Sequence, residues 1–290
     1  MVPSVSLALA ARLIVAGALN TPPLAGLVRL TVGAAFNSTA FKKSKAQFGD
    51  IFAAAPMQTT HQVAGQGVRV QGITQQFTQG TIETTDKTLD MAISGEGFFT
   101  VKGEDGTISY TRNGAFSVDN DRYAVDTTGS RIQVFAVDPD TGEITTPPTN
   151  STTPNDLTDL QIPTTYKGEA DGAQLTSVGV GKDGLVSAIY ADGSTVYLGQ
   201  VAMASFNSLE GLRQQGDAHW TSTVESGNAI IGTPNQGMFG AVNSGSLERS
   251  NVDITDELVQ LIAAQRNFQA NSKAIEAANT LTTTIVNIRS

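Results

Sequence analysis

Three glycines, Gly179, Gly181 and Gly184, have the G-x-G-x-x-G spacing of a dinucleotide-binding turn. Such a turn binds pyrophosphate only where a helix follows at once, because the amides at the helix N-terminus hold the anion. Residues 185–190 instead have a strand pattern, and they lead to a second turn signal at residues 191–194. The segment therefore predicts a β-hairpin that turns at residues 182–184.

Few other side chains could act as ligands, acids or nucleophiles. The chain has no cysteine and two histidines, His61 and His219, which excludes thiolate zinc sites and cysteine nucleophiles. Residues 138–142 resemble the start of a calcium loop but lack its later ligands and final Glu, so they predict a turn. We interpret His219 and the single tryptophan, Trp220, as structural. The sequence thus predicts a protein that is not an enzyme and has no cofactor or metal.

The charge balance points to protein partners. A net charge of −9 over 290 residues argues against nucleic acid, whose phosphates need a basic surface. Charged residues make up 16%, fewer than the usual ~25%, and such a surface suits packing against copies of the same chain. Residues 1–60 hold five Lys or Arg and one Asp, which gives +4 and leaves −13 for the rest. The run of Lys42, Lys43 and Lys45 is predicted to be a solvated face.

The middle of the chain, from about residue 66 to residue 239, has the pattern of β-hairpins and meanders. Short apolar alternations are separated by glycine-containing or Asp/Asn turns, and no helix-length periodic segment interrupts them. We therefore expect an antiparallel β domain. Residues 138–163 carry five prolines among Thr, Asp and Asn, which predicts a long loop or an exposed excursion from that domain.

The last part of the chain predicts one long helix that begins at about Ile254. Asp253 or Thr255 can cap it, and Asp256 and Glu257 suit the positive end of its dipole. Apolar and small side chains lie on several sides, so neighbouring copies are the economical cover for them. The predicted heptad seam comprises Ile254, Leu258, Leu261, Gln265, Phe268, Ser272 and Ile275. After Ile275 the apolar positions depart from the strict heptad spacing and continue through Ala278, Leu281, Ile285 and Ile288. Ile262 is among the apolar residues that flank the seam.

Residues 1–35 differ from the rest of the chain. They are small and apolar, hold only two charges, and are interrupted by several Pro and Gly residues. Residues 5–19 could pass for the apolar region of a secretory signal, although no positive charge precedes them and Arg12 lies within them. The run is also shorter than the ~20 apolar residues of a membrane span.

Several separate motifs, in order, resemble the bacterial flagellar rod/hook axial protein family. The likeness extends from about Asn37 to the last residue, and the ending at residues 285–289 most resembles hook proteins. The motif residues are Phe41 and Lys42; Gly95, Gly97, Phe98 and Phe99; Thr111, Arg112, Gly114 and Phe116; and Leu247, Glu248, Ser250, Asn251, Val252 and Asp253.

The resemblance implies a hollow helical tube of identical subunits. In that family the N- and C-terminal helices pair as coiled coils that line the inner tube, and the β domain packs outside. The hook is a flexible joint that transmits motor torque to the filament, whereas the rod is a straight shaft. The implied partners are further copies, neighbouring axial proteins (distal rod, hook cap and hook–filament junction) and the flagellar type III export apparatus, and the implied location is extracellular, in the hook or basal body.

Two departures from the family pattern stand out. Larger hook proteins insert a second β domain in mid-chain, where this sequence has only residues 138–163, so the resemblance implies a compact subunit. The family also opens with an amphipathic helix and an Asn-rich segment that leads to Gly-Phe-Lys; here Ala40 replaces the Gly, and nothing before Asn37 fits. We hypothesise a frameshift or a mis-assigned start, with the family frame regained near Asn37. Translating the DNA in the other two frames tests this.

The sequence therefore predicts an α+β chain with a mainly β central domain and a long C-terminal helix for coiled-coil packing. The expected segments are 1–35, atypical; 36–80, a junction; 81–240, the β domain; and 241–290, the linker and inner-tube helix. A hook subunit is the leading hypothesis, and the distal rod is the alternative within the class. A secreted β-rich adhesin or binding module, with a processed N-terminus, is second, and an enzyme that uses the turn at residues 179–184 is third; nucleotide titration would test the last.

Overall fold

The computed structural model describes residues 38–50, 68–145, 157–166 and 172–288, without the side chain of Asp50. The chain divides into two compact units. One is Ser38–Asn251, called the β unit here, and the other contains residues 252–288. The hypothesis about residues 1–35 falls outside the described part of the chain.

The β unit is built from antiparallel pairings, because its strands are short and closely spaced along the chain. Within the described ranges its main sheet has 13 strands, and three further pairs form two-stranded sheets: β1–β2, β4–β18 and β3–β19. The strands are β1 (Lys43–Asp50), β2 (Val68–Gln76), β3 (Ile82–Thr84), β4 (Met91–Ser94), β5 (Phe98–Lys102), β6 (Ile108–Thr111), β7 (Ser117–Val118), β8 (Ala124–Val125), β9 (Arg131–Phe135), β10 (Leu157–Asp159), β11 (Leu175–Val180), β12 (Leu185–Tyr190), β13 (Thr195–Val201), β14 (Met203–Ser205), β15 (Arg213–Gly216), β16 (His219–Thr221), β17 (Ile230–Gly232), β18 (Ala241–Ser244) and β19 (Ser246–Glu248).

The longest path through the main sheet runs β11-β12-β13-β9-β5-β6-β16-β15. Strands β11, β12 and β13 form the predicted meander, and Gly184 turns β11 into β12 with a φ of 75°. Glycine is favoured there because side chains rarely adopt that left-handed conformation. The G-x-G-x-x-G segment is therefore a hairpin followed by a strand, and it lacks the helix that pyrophosphate binding needs.

The core of the β unit has two main parts. One packs aliphatic side chains such as Ile132, Val134 and Val201 around Phe99 and Phe116. The other is aromatic. It places Phe98 edge-on against Phe206 and Trp220, and these rings are at most 6% exposed. The interpretation of Trp220 as a structural residue is confirmed.

The Pro-rich stretch at residues 138–163 lies partly inside the sheet. Strand β10 pairs with β9, and Leu160 and Ile162 are fully buried in the core. Residues 138–145 form a turn closed by a bridge between Val137 and Ile144. The prediction of a long loop or an exposed excursion is therefore wrong for residues 157–162, because their apolar side chains complete the core despite the surrounding prolines. Residues 146–156 are outside the described part.

The second unit contains helix α1 (Ile254–Ile288), which spans 35 residues, or about 52 Å at the α-helical rise. The backbone N–H of Thr255 donates to Asp253 Oδ1 at 2.7 Å, so Asp253 is the N-cap, one of the two predicted choices. Asp256 and Glu257 occupy the first turn, where acidic side chains favour the helix dipole. None of the 35 residues is buried.

Candidate functional site

A buried ion cluster joins three of the family-motif residues. Glu248, at the end of β19, is fully buried. Its Oε1 accepts a hydrogen bond from Lys42 Nζ at 2.6 Å, and its Oε2 accepts one from Arg112 Nη1 at 3.2 Å. The backbone N–H of Gly80 also donates to Oε1, at 2.9 Å. One carboxylate therefore holds together segments that lie 206 and 136 residues away from it in sequence.

The electrostatics of the cluster are unbalanced, since one anion faces two cations. Burial lowers the pKa of Lys42, and the attraction of Glu248 opposes that effect. Arg112 Nη2 donates to the Gly95 carbonyl at 2.8 Å, and its guanidinium lies 5.5 Å from the centre of the Phe98 ring. These contacts offset part of the cost of burying the second cation. The prediction of a solvated lysine face is wrong at Lys42, because the partner that buries it is remote in sequence.

Asn251 links segments of the same region through hydrogen bonds of both its amide nitrogen and its amide oxygen. Its Nδ2 donates to the carbonyls of Gln76 and Thr78, at 2.7 and 3.1 Å, and its Oδ1 accepts from the Lys43 N–H at 2.7 Å. Its own N–H donates to the carbonyl of Phe41. Lys42, Arg112, Glu248 and Asn251 together are called the junction cluster. The cluster ties both strands of the β1–β2 pair to the segment that ends the β unit.

The remaining family-motif residues of the β unit lie near this cluster or in the core. Gly95 and Gly97 have φ angles of 120° and 123° in the turn between β4 and β5. Thr111 is buried and donates to the Ala218 carbonyl at 2.8 Å. The core positions are Phe98, Phe99 and Phe116, Gly114 lies between β6 and β7, and Phe41, Leu247 and Ser250 are half-buried.

The residues of the predicted heptad seam lie on α1, and most of their side chains are exposed. Ile254 and Leu261 are half-buried, and the other apolar seam residues are exposed. The lowest exposed fraction among the latter is 49%, at Leu258 and Ile262. The exposed members are Leu258, Ile262, Gln265, Phe268, Ile275, Leu281, Ile285 and Ile288, while Val252 and Asp253 precede the helix.

A second buried pair involves a residue that the sequence did not single out. His219 Nε2 lies 2.6 Å from Asp126 Oδ2, and both side chains are buried. Burial lowers the pKa of His219, but the hydrogen bond and the charge of Asp126 outweigh it and raise that pKa above its usual value. Burial likewise raises the pKa of Asp126, and the hydrogen bonds from His219 and Thr128 lower it overall. The two residues are 93 positions apart, so sequence spacing carries no signal for the pair.

Within the described ranges, no three His, Asp or Glu side chains are grouped so that they could hold a metal ion. No helix in the same part of the chain has the length and apolar character to span a bilayer.

Comparison with known proteins decides the family. Residues 92–188 match the domain described as flagellar hook protein FlgE/F/G D1 domain, and residues 243–288 match flagellar basal body rod FlgEFG protein C-terminal. The flagellar hook protein FlgE of Escherichia coli is 27% identical, with 86% of this chain and 92% of that protein covered. The flagellar basal-body rod protein FlgG of Bacillus subtilis is 32% identical, with 87% and 89% covered. The chain belongs to the flagellar hook and rod protein family.

A solved structure adds little to this assignment. The flagellar hook protein FlgE2 of Helicobacter pylori matches with a TM-score of 0.23 and 15% identity, over 49% of this chain and 38% of that one. Membership in the hook and rod family makes this chain a structural component of the bacterial flagellum.

Ala40 shows what the departure from the family pattern does to the backbone. Its φ is 56°, its side chain is fully buried, and its N–H donates to the Glu248 carbonyl at 2.8 Å. The left-handed conformation costs an L-residue roughly 1–2 kcal/mol, which explains why this position favours Gly. The side chain of Ala40 is thus accommodated at the expense of stability.

We expect Ala40→Gly to raise the free energy of unfolding by about 0.5–1 kcal/mol, because relief of strain exceeds the added freedom of the unfolded chain. Chemical denaturation measures it. The matched control is Ala92→Gly, at a buried position in β4, which should lower stability by about 1 kcal/mol. Equal losses in both variants would contradict the argument from strain.

Proposed function

We propose that this chain is a structural subunit of the flagellar hook, which assembles with copies of itself into a helical tube and transmits torque from motor to filament. The observation that carries the proposal is α1: 35 residues with an apolar seam and no buried residue. A helix of that kind needs cover on several sides, and copies of the same helix supply it as coiled-coil neighbours.

The compact β unit is consistent with a small hook subunit. The alignment with the Escherichia coli hook protein has 378 positions, which is 88 more than the 290 residues of this chain. At least 88 positions of that relative therefore have no counterpart here. This agrees with a subunit that lacks a second β domain in mid-chain.

The proposed hook function implies the partners of the chain, its location and a mechanical role. The partners are further copies of the chain, the neighbouring distal rod, hook cap and hook–filament junction proteins, and the flagellar type III export apparatus. The location is the extracellular part of the flagellum. The role is mechanical and needs no catalytic residue, and the buried junction cluster serves to fix the β unit where the chain leaves it.

The distal rod is the second candidate, and the comparison with rod proteins favours it. The Bacillus subtilis rod protein is the more similar at 32% identity, and its alignment of 268 positions is far shorter than that with the Escherichia coli hook protein. Deleting the gene separates the candidates. Basal bodies with a complete rod but no hook support the hook, whereas loss of the distal rod as well supports the rod.

We expect Leu261→Asp or Phe268→Asp to abolish assembly and leave the β unit folded, because an unpaired charge in a buried seam is costly. The polymer yield is measured by sedimentation and electron microscopy, and folding by the fluorescence of Trp220. Asn120→Asp is the control, since it adds the same charge at an exposed turn of the β unit, outside α1. Polymers from the seam variants at the yield of the unmodified chain would refute the proposal.

A further inference from the structure

Strands β1 and β2 form a ribbon that exposes large apolar side chains. Within the described residues, the two strands pair with each other and with no other strand. Phe48, Val68, Val70 and Ile73 are all more than half exposed, and Ile73 is 70% exposed. Contiguous apolar surface of this kind is uncommon on monomeric proteins, and it marks contact sites.

A β-bulge gathers these side chains on one face of the ribbon. The register runs through Gln47↔Gly72 and then Phe48↔Val70, so Gln71 is an extra residue. Side chains alternate along a strand, and a shift of one residue exchanges the two faces. The bulge therefore places Val68 and Val70 on the side of Ile73; without it, Arg69 and Gln71 would lie there. The apolar face comprises Ala46, Phe48, Val68, Val70 and Ile73.

The opposite face of the ribbon is polar and basic. It comprises Lys43, Lys45, Gln47, Arg69 and Thr74. The two strands hold three basic residues, Lys43, Lys45 and Arg69, and one acidic residue, Asp50, which gives a net charge of +2. The ribbon is thus positively charged in a chain whose net charge is −9, and the acidic surface of another copy would attract it.

The described contacts of the ribbon with the rest of the β unit include the end where Ser44 pairs with Gln75, which is called its base. Gln75 lies on the same side as Ile73, and there its Oε1 accepts from Trp220 Nε1 while its Nε2 donates to Gln214 Oε1 at 2.6 Å. Two pairs further along, Ile73 and its partner Ala46 are exposed. An isolated two-stranded ribbon is marginally stable in water, so the free part of this one requires cover from elsewhere.

We propose that the apolar face of the ribbon is a contact surface for a second copy of this chain. The inference rests on the proposed function, since it adds to the helix seam a second surface through which subunits meet. The bulge creates a continuous apolar face, the charge of the ribbon complements an acidic copy, and the apolar side chains beyond Gln75 are exposed. A polymer of identical chains supplies the cover.

The absence of cysteine permits a direct test. A polarity-sensitive fluorophore is attached to the full-length Ile73→Cys chain, and to the Gln47→Cys chain as the control on the basic face. Quenching by a soluble quencher is compared between dilute monomer and polymer. We expect quenching at position 73 to fall about five-fold on assembly, as for the core of an interface, and quenching at position 47 to change less than about two-fold.

The outcomes separate the inference from the proposed function. A polymer that forms while position 73 stays fully quenched overturns the inference and leaves the hook subunit standing. Protection of position 73 already in the dilute monomer also overturns it, because the chain would then cover its own face. A chain that forms no polymer at any concentration overturns the proposed function and the inference with it.

A second pair of variants keeps the test independent of labelling. Val70→Thr with Ile73→Thr retains β-branched side chains and makes the apolar face polar, and Gln47→Thr with Gln76→Thr is the uncharged control on the other face. We expect the first pair to raise the critical concentration for assembly about tenfold. An equal change in both pairs would contradict a role for the apolar face.

Discussion

Replacing Glu248 by Gln is expected to lower the free energy of unfolding of the β unit by about 3–5 kcal/mol. The change removes the anion that contacts Lys42 Nζ and Arg112 Nη1, at 2.6 and 3.2 Å, and it leaves both cations buried. Lys42 can respond by losing its proton, because burial already lowers its pKa. Arg112 cannot, since a guanidinium stays charged in proteins. The cost therefore falls mainly on Arg112.

Denaturant unfolding of the full-length chain measures this loss, and Trp220, the single tryptophan, reports on the core of the β unit. Glu83→Gln is the matched control. Its carboxylate pairs with Arg249 at the surface, where the two side chains are 56% and 46% exposed, and exposed pairs contribute about 0–1 kcal/mol. Similar small losses in both variants would show that the buried cluster is not what holds the junction.

A double variant refines the same expectation. Lys42→Met in the Glu248→Gln background removes one unpaired charge and keeps an unbranched apolar side chain of similar length. It should recover part of the stability, so the two substitutions are not additive. Strict additivity would indicate that Lys42 and Glu248 act independently, against the short contact between them.

The elements that sequence reasoning predicts well are those determined by neighbouring residues. The hairpin at Gly184 follows from a glycine that can adopt a positive φ between two strand patterns. Helix α1 follows from a cap at Asp253 and a sustained apolar period. In both cases the information lies within a few residues or within one continuous pattern, so no tertiary contact needs to be known.

The junction cluster could be foreseen only as a set of motif residues. Lys42 belongs to a basic run that looks solvated, and its partner is 206 residues away. The pair of His219 and Asp126 is similar, at a separation of 93. Side-chain types at such distances do not indicate contact, because many folds could bring them together or keep them apart. Strand β10 was missed for a different reason: the prolines and threonines around it suggest a loop, and burial of its neighbours Leu160 and Ile162 overrides that tendency.

The seam of α1 and the apolar face of the β1–β2 ribbon differ in what the sequence reveals about them. The seam of α1 is visible as a heptad, because one helix carries all of it. The apolar face of the β1–β2 ribbon depends on a bulge at Gln71, which sets the register of two segments and has no sequence signature of its own. Sequence patterns therefore predicted self-assembly through the helix, whereas the second surface required the register.

Gly114→Ala is the other substitution for which we expect a large loss of stability, about 3 kcal/mol or more. A Cβ at this position would lie 1.6 Å from the Met91 carbonyl oxygen and 2.7 Å from the Met91 carbonyl carbon. Both are backbone atoms, so no rotamer change can relieve the clash. Met91 N–H also donates to the Gly114 carbonyl at 2.9 Å, and separating the two segments would stretch that bond.

The clash at Gly114 arises because two backbone segments of the chain lie close together. It does not arise from the backbone conformation of Gly114, which has no positive φ. Gly72→Ala is therefore the matched control: it also lacks a positive φ, and a Cβ there meets nothing within 4 Å, so its stability should change by less than about 0.5 kcal/mol. Unfolding of both full-length variants gives the comparison. If Gly114→Ala is as stable as Gly72→Ala, then β4 and the segment before β7 can separate freely, which would contradict the burial of Met91 and Phe99 in the same core cluster. If it is not, close approach of the backbone explains why this motif position requires glycine.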